Sequence, residues 1–366
     1  MTSSSTPVIT NVSARAYCFP TDAPEADGTL TWSSTTMVVV RVSAAGHEGF
    51  GYSYASRAAV AVIDDVLAPI VEGGSAFDVP GHWNRMVAGV RNIGWRGVAA
   101  CAISAVDVAL WDLKAKVLGV PVVLLLGRMR DNVAIYGSGG FTSYDSARLA
   151  EQLGGWVEEL GCRAVKMKIG SSPDADPERM ACARRAIGDT ELYIDANGAF
   201  VPKQALEMAE RACELGVTWF EEPVSSDDLD GLRLLRDRAP APVRIAAGEY
   251  GYDHFYFRRM LASEAVDVLQ ADATRCGGFT GFLKAAALAE AHGLALSAHT
   301  APALHLHVAV AAPRVINVEW FHDHVRIEAA VLDGSPRPHG GMMHADLSRP
   351  GMGLEFKAQD AERLAA

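Results

Sequence analysis

The chain has 366 residues, 49% of them hydrophobic and 21% charged, enough for one large domain or two of ordinary size around a substantial core. Its net charge of −11 argues against a nucleic-acid or anionic-membrane partner, and no apolar run reaches bilayer-spanning length. Six scattered cysteines without a Cys-x-x-Cys pair, and a Met1–Pro7 start lacking the regions of a secretion signal, lead to the expectation of a cytoplasmic protein with reduced thiols.

Residues 1–130 read as an α+β domain rather than as repeating βα units. Residues Thr21 to Trp32 are polar, with Pro24 and Gly28, and are expected to form a mobile loop. Thr36 to Val42 is a strand by its β-branched content, and Gly46 to Tyr52 reads as a glycine-rich turn. Helical periodicity runs from Ala58 to Ile70 and again from Val98 to Leu118, where an almost wholly apolar face demands burial. Gly119-Val120-Pro121 stops that second helix.

From Val133 the texture changes to short apolar runs, each followed by an amphipathic stretch and a Gly or Pro break. The runs are 133–136, 164–168, 192–195, 218–222, 243–248, 268–270, 295–299 and 315–319. Eight strands at a repeat of roughly 25 residues have the beat of a parallel α/β barrel, and no Gly-x-Gly-x-x-Gly turn favours a doubly wound sheet. The barrel is expected over 131–325, as a (β/α)7β variant of the TIM barrel. No full helix is expected after Glu319. The Gly-, Pro- and His-rich segment 326–366, with a short strand at Leu354–Phe356, is expected to return to the N-terminal domain.

Ionisable residues mark the strand ends. In Ala164-Val165-Lys166-Met167-Lys168, alternation puts both lysines on one face, where mutual repulsion would depress one amine toward a neutral-pH base. Asp195, Glu221 and Glu249 close the next strands; three converging carboxylates repel unless a cation sits between them. All-oxygen ligands select a hard ion, and three of them leave positions for water and substrate, which favours Mg²⁺ over Ca²⁺. Any one of these acids has an ordinary reading as a helix cap; three at matching positions do not.

Asp272 precedes His299 by one strand, and a carboxylate on one ring nitrogen fixes the tautomer and raises the basicity of the other. Lys168 and His299 then flank the ion and suit removal of a proton α to a carboxylate. The metal and Lys166 would neutralise the enediolate, and Glu319 would hydrogen-bond the substrate carboxylate.

With these residues in this order, the chain resembles the enolase superfamily, and within it the mandelate racemase subgroup. The resemblance spans nearly the whole chain, from Gly46–Gly51 through the Ala-Leu-Trp-Asp-Leu helix and Lys-x-Lys strand to Pro350-Gly351-Met352-Gly353. It implies that Asp195, Glu221 and Glu249 are magnesium ligands with Glu222 beside them. It likewise implies that Lys168 and the His299–Asp272 pair are the two acid/base groups. Lys166 and Glu319 serve the substrate carboxylate, and Asn197 contacts a substrate hydroxyl. The N-terminal domain is implied to be a cap whose loops near Thr21–Ser34 and Gly46–Ser56 close over the site. Two departures are Thr274-Arg275-Cys276, which brings a cation near the dyad, and the His322–His324 pair; both count against a simple mandelate-like substrate.

Polar groups expected around the mouth (His47, Tyr52, Tyr54, Trp95, Arg96, His322, His324, Arg326) favour a polyhydroxylated substrate, with Tyr52 the cap residue chosen to touch it. The expected activity is dehydration of a sugar acid, aldonate or aldarate, to a 2-keto-3-deoxy acid. A racemase or epimerase of an α-hydroxy acid is the second reading. Cycloisomerases and dipeptide epimerases of the superfamily generally place a second lysine where His299 stands. A non-catalytic metal-binding scaffold would lack a base or a ligand, and none is missing. A homo-oligomer is implied by the family.

Overall fold

A computed structural model describes residues 6–366, so Met1–Ser5 of the stretch read for a leader lie outside the described residues. Strands β1 (Ile9–Ala26), β2 (Thr31–Ala44) and β3 (His47–Tyr54) form an antiparallel sheet in that order. The unbroken valine run of β2 is buried on both faces because the sheet is sandwiched. Val38, Val40 and Val42 pack with Ile103, Val106 and Leu110 of the helix Val98–Leu118, while Met37 and Val39 join the core shared with the barrel.

Two sequence expectations change here. The segment 47–52 is strand rather than turn, and the chain turns at Ala45 and Gly46, with φ 50° and 77°. Gly49 and Gly51 lie on one face of β3 by strand alternation, and a Cβ on either would enter the Ala109 or Ala105 carbonyl of the long helix. They are there for close approach. A Gly51→Ala variant is expected to lose about 3 kcal/mol in denaturant unfolding, because neither backbone can yield. Gly155→Ala, in the helix Ser146–Leu160 with nothing within 4 Å of the added carbon, is expected to gain about 0.5–1 kcal/mol. Equal midpoints for the two variants would dismiss the packing explanation.

Nor is Thr21–Trp32 a mobile loop. β1 runs to Ala26, β2 restarts at Thr31, and Glu25 and Ala26 pair with Trp32 and Thr31 after an irregularity that absorbs Pro24. Asp27 closes the turn, its Oδ1 accepting from the amides of Thr29 (2.6 Å) and Leu30 (2.7 Å). Gly28 at the tip abuts the carbonyls of Ile169 and Ala196, beyond two barrel strands, so the hairpin is seated on the barrel mouth.

The barrel strands are β4 (Asn132–Gly139), β5 (Ala164–Lys168), β6 (Glu191–Asp195), β7 (Val217–Glu221), β8 (Arg244–Ala247), β9 (Val268–Ala271), β10 (Ala295–Ala298) and β11 (Val315–Phe321). All eight pair in parallel and in sequence, and β11 closes on β4 through Val318↔Ile135 to Phe321↔Ser138. Seven helices connect them, the (β/α)7β arrangement. The inside is filled at the lower level by Tyr136, Tyr193, Trp219, Ala246 and Val268, with Tyr193 and Trp219 stacked at 4.9 Å.

A ten-residue helix, His322–Val331, does follow β11, where none was expected from the sequence. The tail then crosses back: strand β12 (Leu332–Asp333) pairs with β14 (Glu355–Phe356), and β13 (Met342–His344) runs antiparallel to β4. Met352 N donates to Asp112 Oδ1 at 2.7 Å, while Phe50 N donates to Oδ2 at 2.8 Å. One buried carboxylate thus ties tail, cap helix and cap sheet together. Among the described residues no helix is long and apolar enough to cross a membrane.

Candidate active site

Parallel pairing places Lys168 beside Asp195 and Asp195 beside Glu221, so adjacent strands deliver three charged ends to one point. Glu249 lies two residues beyond β8, Asp272 one beyond β9, His299 one beyond β10, and Glu319 within β11. All of these side chains are buried. Asp195, Glu221 and Glu249 each offer an oxygen within 4.8 Å of the others, a buried acidic triad able to hold a metal. The set is hard, all-oxygen and open to further ligands. Glu249 Oε2 makes no well-aligned hydrogen bond although His299 Nε2 lies 3.2 Å away, which fits an oxygen that can ligate a cation.

Lys166 is entirely buried and lies among carboxylates: its Nζ is 2.6 Å from Glu221 Oε1, 2.9 Å from Glu319 Oε1 and 3.4 Å from Asp195 Oδ2. Burial works against its charge, but Glu221 and Glu319 outweigh it and hold the ammonium well above its usual range. Lys168 Nζ donates to Asp195 Oδ2 (2.5 Å) and Asn197 Oδ1 (2.9 Å). Alternation alone has Lys166 depressing Lys168. Burial and Lys166 do lower it, yet the pull of Asp195 and the other carboxylates exceeds both and raises it. A cation on the triad would act against that pull, in the same direction as burial and Lys166. Glu221 shows the same shortage of positive charge, pushed up to about 8 by burial and by Asp195.

His299 Nδ1 faces Asp272 Oδ2 at 2.8 Å, which fixes the ring with Nε2 toward the triad, 3.2 Å from Glu249 Oε2 and 3.8 Å from Glu319 Oε2. Burial opposes its protonation, but Glu249 and Asp272 raise it to about 10. Asp272 is in turn held by Thr274 N at 2.7 Å and flanked by Arg275 Nε at 3.5 Å.

The strand ends turn sharply. Asn197, Glu222, Thr300 and Ala301 all have positive φ (46°, 39°, 53° and 38°), a strained conformation for non-glycine residues. The turns aim amides inward: Asn197 N donates to Asp195 Oδ1 at 2.9 Å and Thr300 N to Glu319 Oε2 at 3.1 Å.

A cavity of about 590 Å³ opens over these groups, lined by Lys168, Asn197, Glu249, Arg275, His299 and Glu319 from the barrel and by Trp32, Ser34, Thr35 and Tyr54 from the cap. A larger cavity, about 710 Å³, lies between the tail and the outside of the barrel near Leu160, Arg337 and Lys357, with none of the strand-end groups. Chemistry, not size, identifies the site.

Of the eight mouth candidates, Tyr54 and His324 line the cavity, stacked on each other at 3.4 Å. Tyr52 does not: it is fully buried beneath them and donates to Glu328 Oε1 at 2.7 Å. Alternation puts Tyr52 and Tyr54 on the same face of β3, and depth along the strand separates them: Tyr54, at its end, reaches the cavity, while Tyr52 lies two residues back in the core. His47 is exposed at the β2–β3 turn, and Trp95 packs on His254 while Arg96 pairs with Asp253 at 2.6 Å. His322 and Arg326 stand at the seam between hairpin and barrel. Sequence reasoning missed Ser138, which donates to Glu319 Oε1 at 2.5 Å from the end of β4; the strand-end rule applied to that strand finds it. Trp32 and Thr35 were missed individually, since nothing in the sequence says which hairpin side chains face the barrel.

The N-terminal domain family of mandelate racemase and muconate lactonizing enzyme matches residues 12–127, and the enolase C-terminal domain-like family matches 148–361. The solved structure of a mandelate racemase/muconate lactonizing enzyme-like protein from Rubrobacter xylanophilus is 48% identical, with TM-score 0.96 over 98% of this chain and 100% of that one. A racemase from Streptomyces coelicolor, solved with bound magnesium, is 28% identical with TM-score 0.92 over 98% of this chain and 100% of that one. D-galactarolactone cycloisomerase of Agrobacterium fabrum is 37% identical over 59% of this chain, a match spanning only 58% of that relative. L-talarate/galactarate dehydratase of Salmonella typhimurium is 32% identical over 79% of this chain and 74% of that one. Cap, barrel and triad agree with both family matches, and the chain belongs to the enolase superfamily, in its mandelate racemase subgroup.

Proposed function

We propose that this enzyme uses Mg²⁺ held by Asp195, Glu221 and Glu249 to remove the proton α to a substrate carboxylate, and that its substrate is a sugar acid which it dehydrates. The observation that carries the reading is the placement of Lys168 and His299. Both reach one cavity from strands three steps apart round the barrel (β10, β11, β4, β5), with Glu319 of β11 on the way and paired to Lys166 at 2.9 Å.

The bound ion would supply positive charge to the substrate carboxylate as negative charge develops there. Lys168 takes the α-proton, and Lys166, unable to leave its carboxylate partners, keeps a fixed charge beside the enediolate. Glu319, pinned by Ser138 and Thr300, orients the carboxylate. His299, protonated and steadied by Asp272, gives its Nε2 proton to the β-hydroxyl as the C–O bond breaks, so that water leaves and the enol becomes a 2-keto-3-deoxy acid. Asn197, Ser34, Thr35 and His324 offer the cavity a hydroxyl-binding lining, which suits aldonates or aldarates better than an aryl acid. Racemisation is the second reading, supported by the same pair of facing bases.

A library of mono- and diacid sugars is the test, with keto acid read by semicarbazide absorbance and the mixtures repeated in D₂O for NMR. Keto acid from one or a few acids is the expected result. Deuterium at C2 without keto acid moves the activity to racemase or epimerase. Silence from every acid, in protein shown to bind Mg²⁺, rejects the sugar-acid reading.

A further inference from the structure

Where the cap hairpin meets the barrel, a second set of potential ligands converges. Asp22 and Glu25 come from the end of β1, and His322 opens the helix after β11; an atom of each lies within 4.8 Å of the others. His322 Nε2 is 3.1 Å from Asp22 Oδ2, already close to the separation of about 3.4 Å between neighbouring ligand atoms on a tetrahedral ion with bonds near 2.1 Å.

The decisive group is Glu25. Its side chain is 0% exposed, and its Oε2 accepts from Trp32 Nε1 at 2.7 Å, but its Oε1 has no hydrogen-bond partner. A buried carboxylate that belongs to this cluster and keeps one oxygen unsatisfied points to something that completes it. Two cations flank the cluster without satisfying this oxygen: Arg326 binds Asp323 and the Pro20 carbonyl and leaves its Nε unpartnered, while Arg148 pairs with Asp22 Oδ1 at 3.4 Å and reaches Tyr144 Oη at 3.1 Å. None approaches Glu25 Oε1 within hydrogen-bond distance.

We propose that Asp22, Glu25 and His322 form a second divalent-cation site that fastens the cap hairpin to the barrel. Two carboxylates and an imidazole select a borderline ion such as zinc, in contrast to the all-oxygen triad in the barrel. The site is coupled to the substrate cavity by one bond, because the indole that Glu25 holds belongs to Trp32, a wall of that cavity. An ion here fixes the carboxylate that holds that wall.

The test is calorimetric titration of Zn²⁺ into the full chain in excess Mg²⁺, comparing the wild type with His322→Ala and Asp22→Asn. Both positions are partly exposed, so the variants are expected to melt within a few degrees of the wild type without zinc. Each variant is expected to bind one equivalent of Zn²⁺ fewer than the wild type, whether or not zinc also displaces magnesium in the barrel. Zinc is expected to raise the melting temperature of the wild type more than that of either variant. The same stoichiometry and the same thermal shift in all three proteins would overturn the proposal. The result is independent of which acid the enzyme turns over, so it stands or falls separately from the sugar-acid reading.

Discussion

Lys168→Ala is expected to lower kcat by roughly a thousand-fold and to abolish exchange of the substrate α-proton in D₂O, since general-base catalysis alone contributes about 10²–10⁴. His299→Asn should lose as much in keto-acid formation yet keep a measurable α-proton exchange, because Lys168 still reaches the carbon. That split separates the two bases and the two reactions. A racemase would show exchange from one enantiomer only in each variant, with no keto acid from either. Loss of exchange in His299→Asn but not in Lys168→Ala would reverse the assignment.

The same pair carries a pH expectation. Burial lowers His299, while Glu249 and Asp272 raise it; removing the Asp272 charge lowers it. Since His299 must be protonated to help the hydroxyl leave, the alkaline fall of kcat should move to lower pH in Asp272→Asn. A purely structural role for Asp272 would lower the whole profile without moving it.

What the sequence revealed and what it hid divide along physical lines. The eight barrel strands were readable because each is a short, largely apolar run with an amphipathic helix between it and the next, and a parallel barrel turns that order directly into a ring. The strand-end groups followed, since parallel pairing leaves no freedom in where Asp195 or Glu221 points. The cap was less legible. Thr21–Trp32 reads as a loop because its composition is polar and contains Pro24; its order comes from Asp27 accepting the amides of Thr29 and Leu30, and from Gly28 meeting the carbonyls of Ile169 and Ala196, far along the chain. Gly49 and Gly51 suggested a turn because glycine serves both turns and close packing, and only the helix behind them decides which. Tyr52 and Tyr54 look alike in sequence and share a face of β3; two residues along that strand separate the core from the wall of the cavity.

Charge balance at the triad gives the second large effect, and it predicts opposite signs for two neighbouring substitutions. Glu249→Gln removes a third of the ligand charge and should weaken Mg²⁺ binding by at least roughly a hundred-fold, with activity lost in proportion. Lys166→Met removes the one cation that touches Glu221, Glu319 and Asp195 together, leaving buried carboxylates without a partner. Without magnesium that variant should be less stable by about 3–5 kcal/mol. With magnesium much of the deficit should return, because the ion now meets carboxylates relieved of a competing ammonium; its affinity should rise although turnover collapses. Binding linkage makes this visible as a thermal shift on adding Mg²⁺ that is larger in Lys166→Met than in the wild type and smaller in Glu249→Gln. If Lys166→Met instead bound Mg²⁺ as weakly as Glu249→Gln, Lys166 would be a scaffold for the triad rather than its electrostatic counterweight, and the fixed charge assigned to it beside the enediolate would have to be withdrawn.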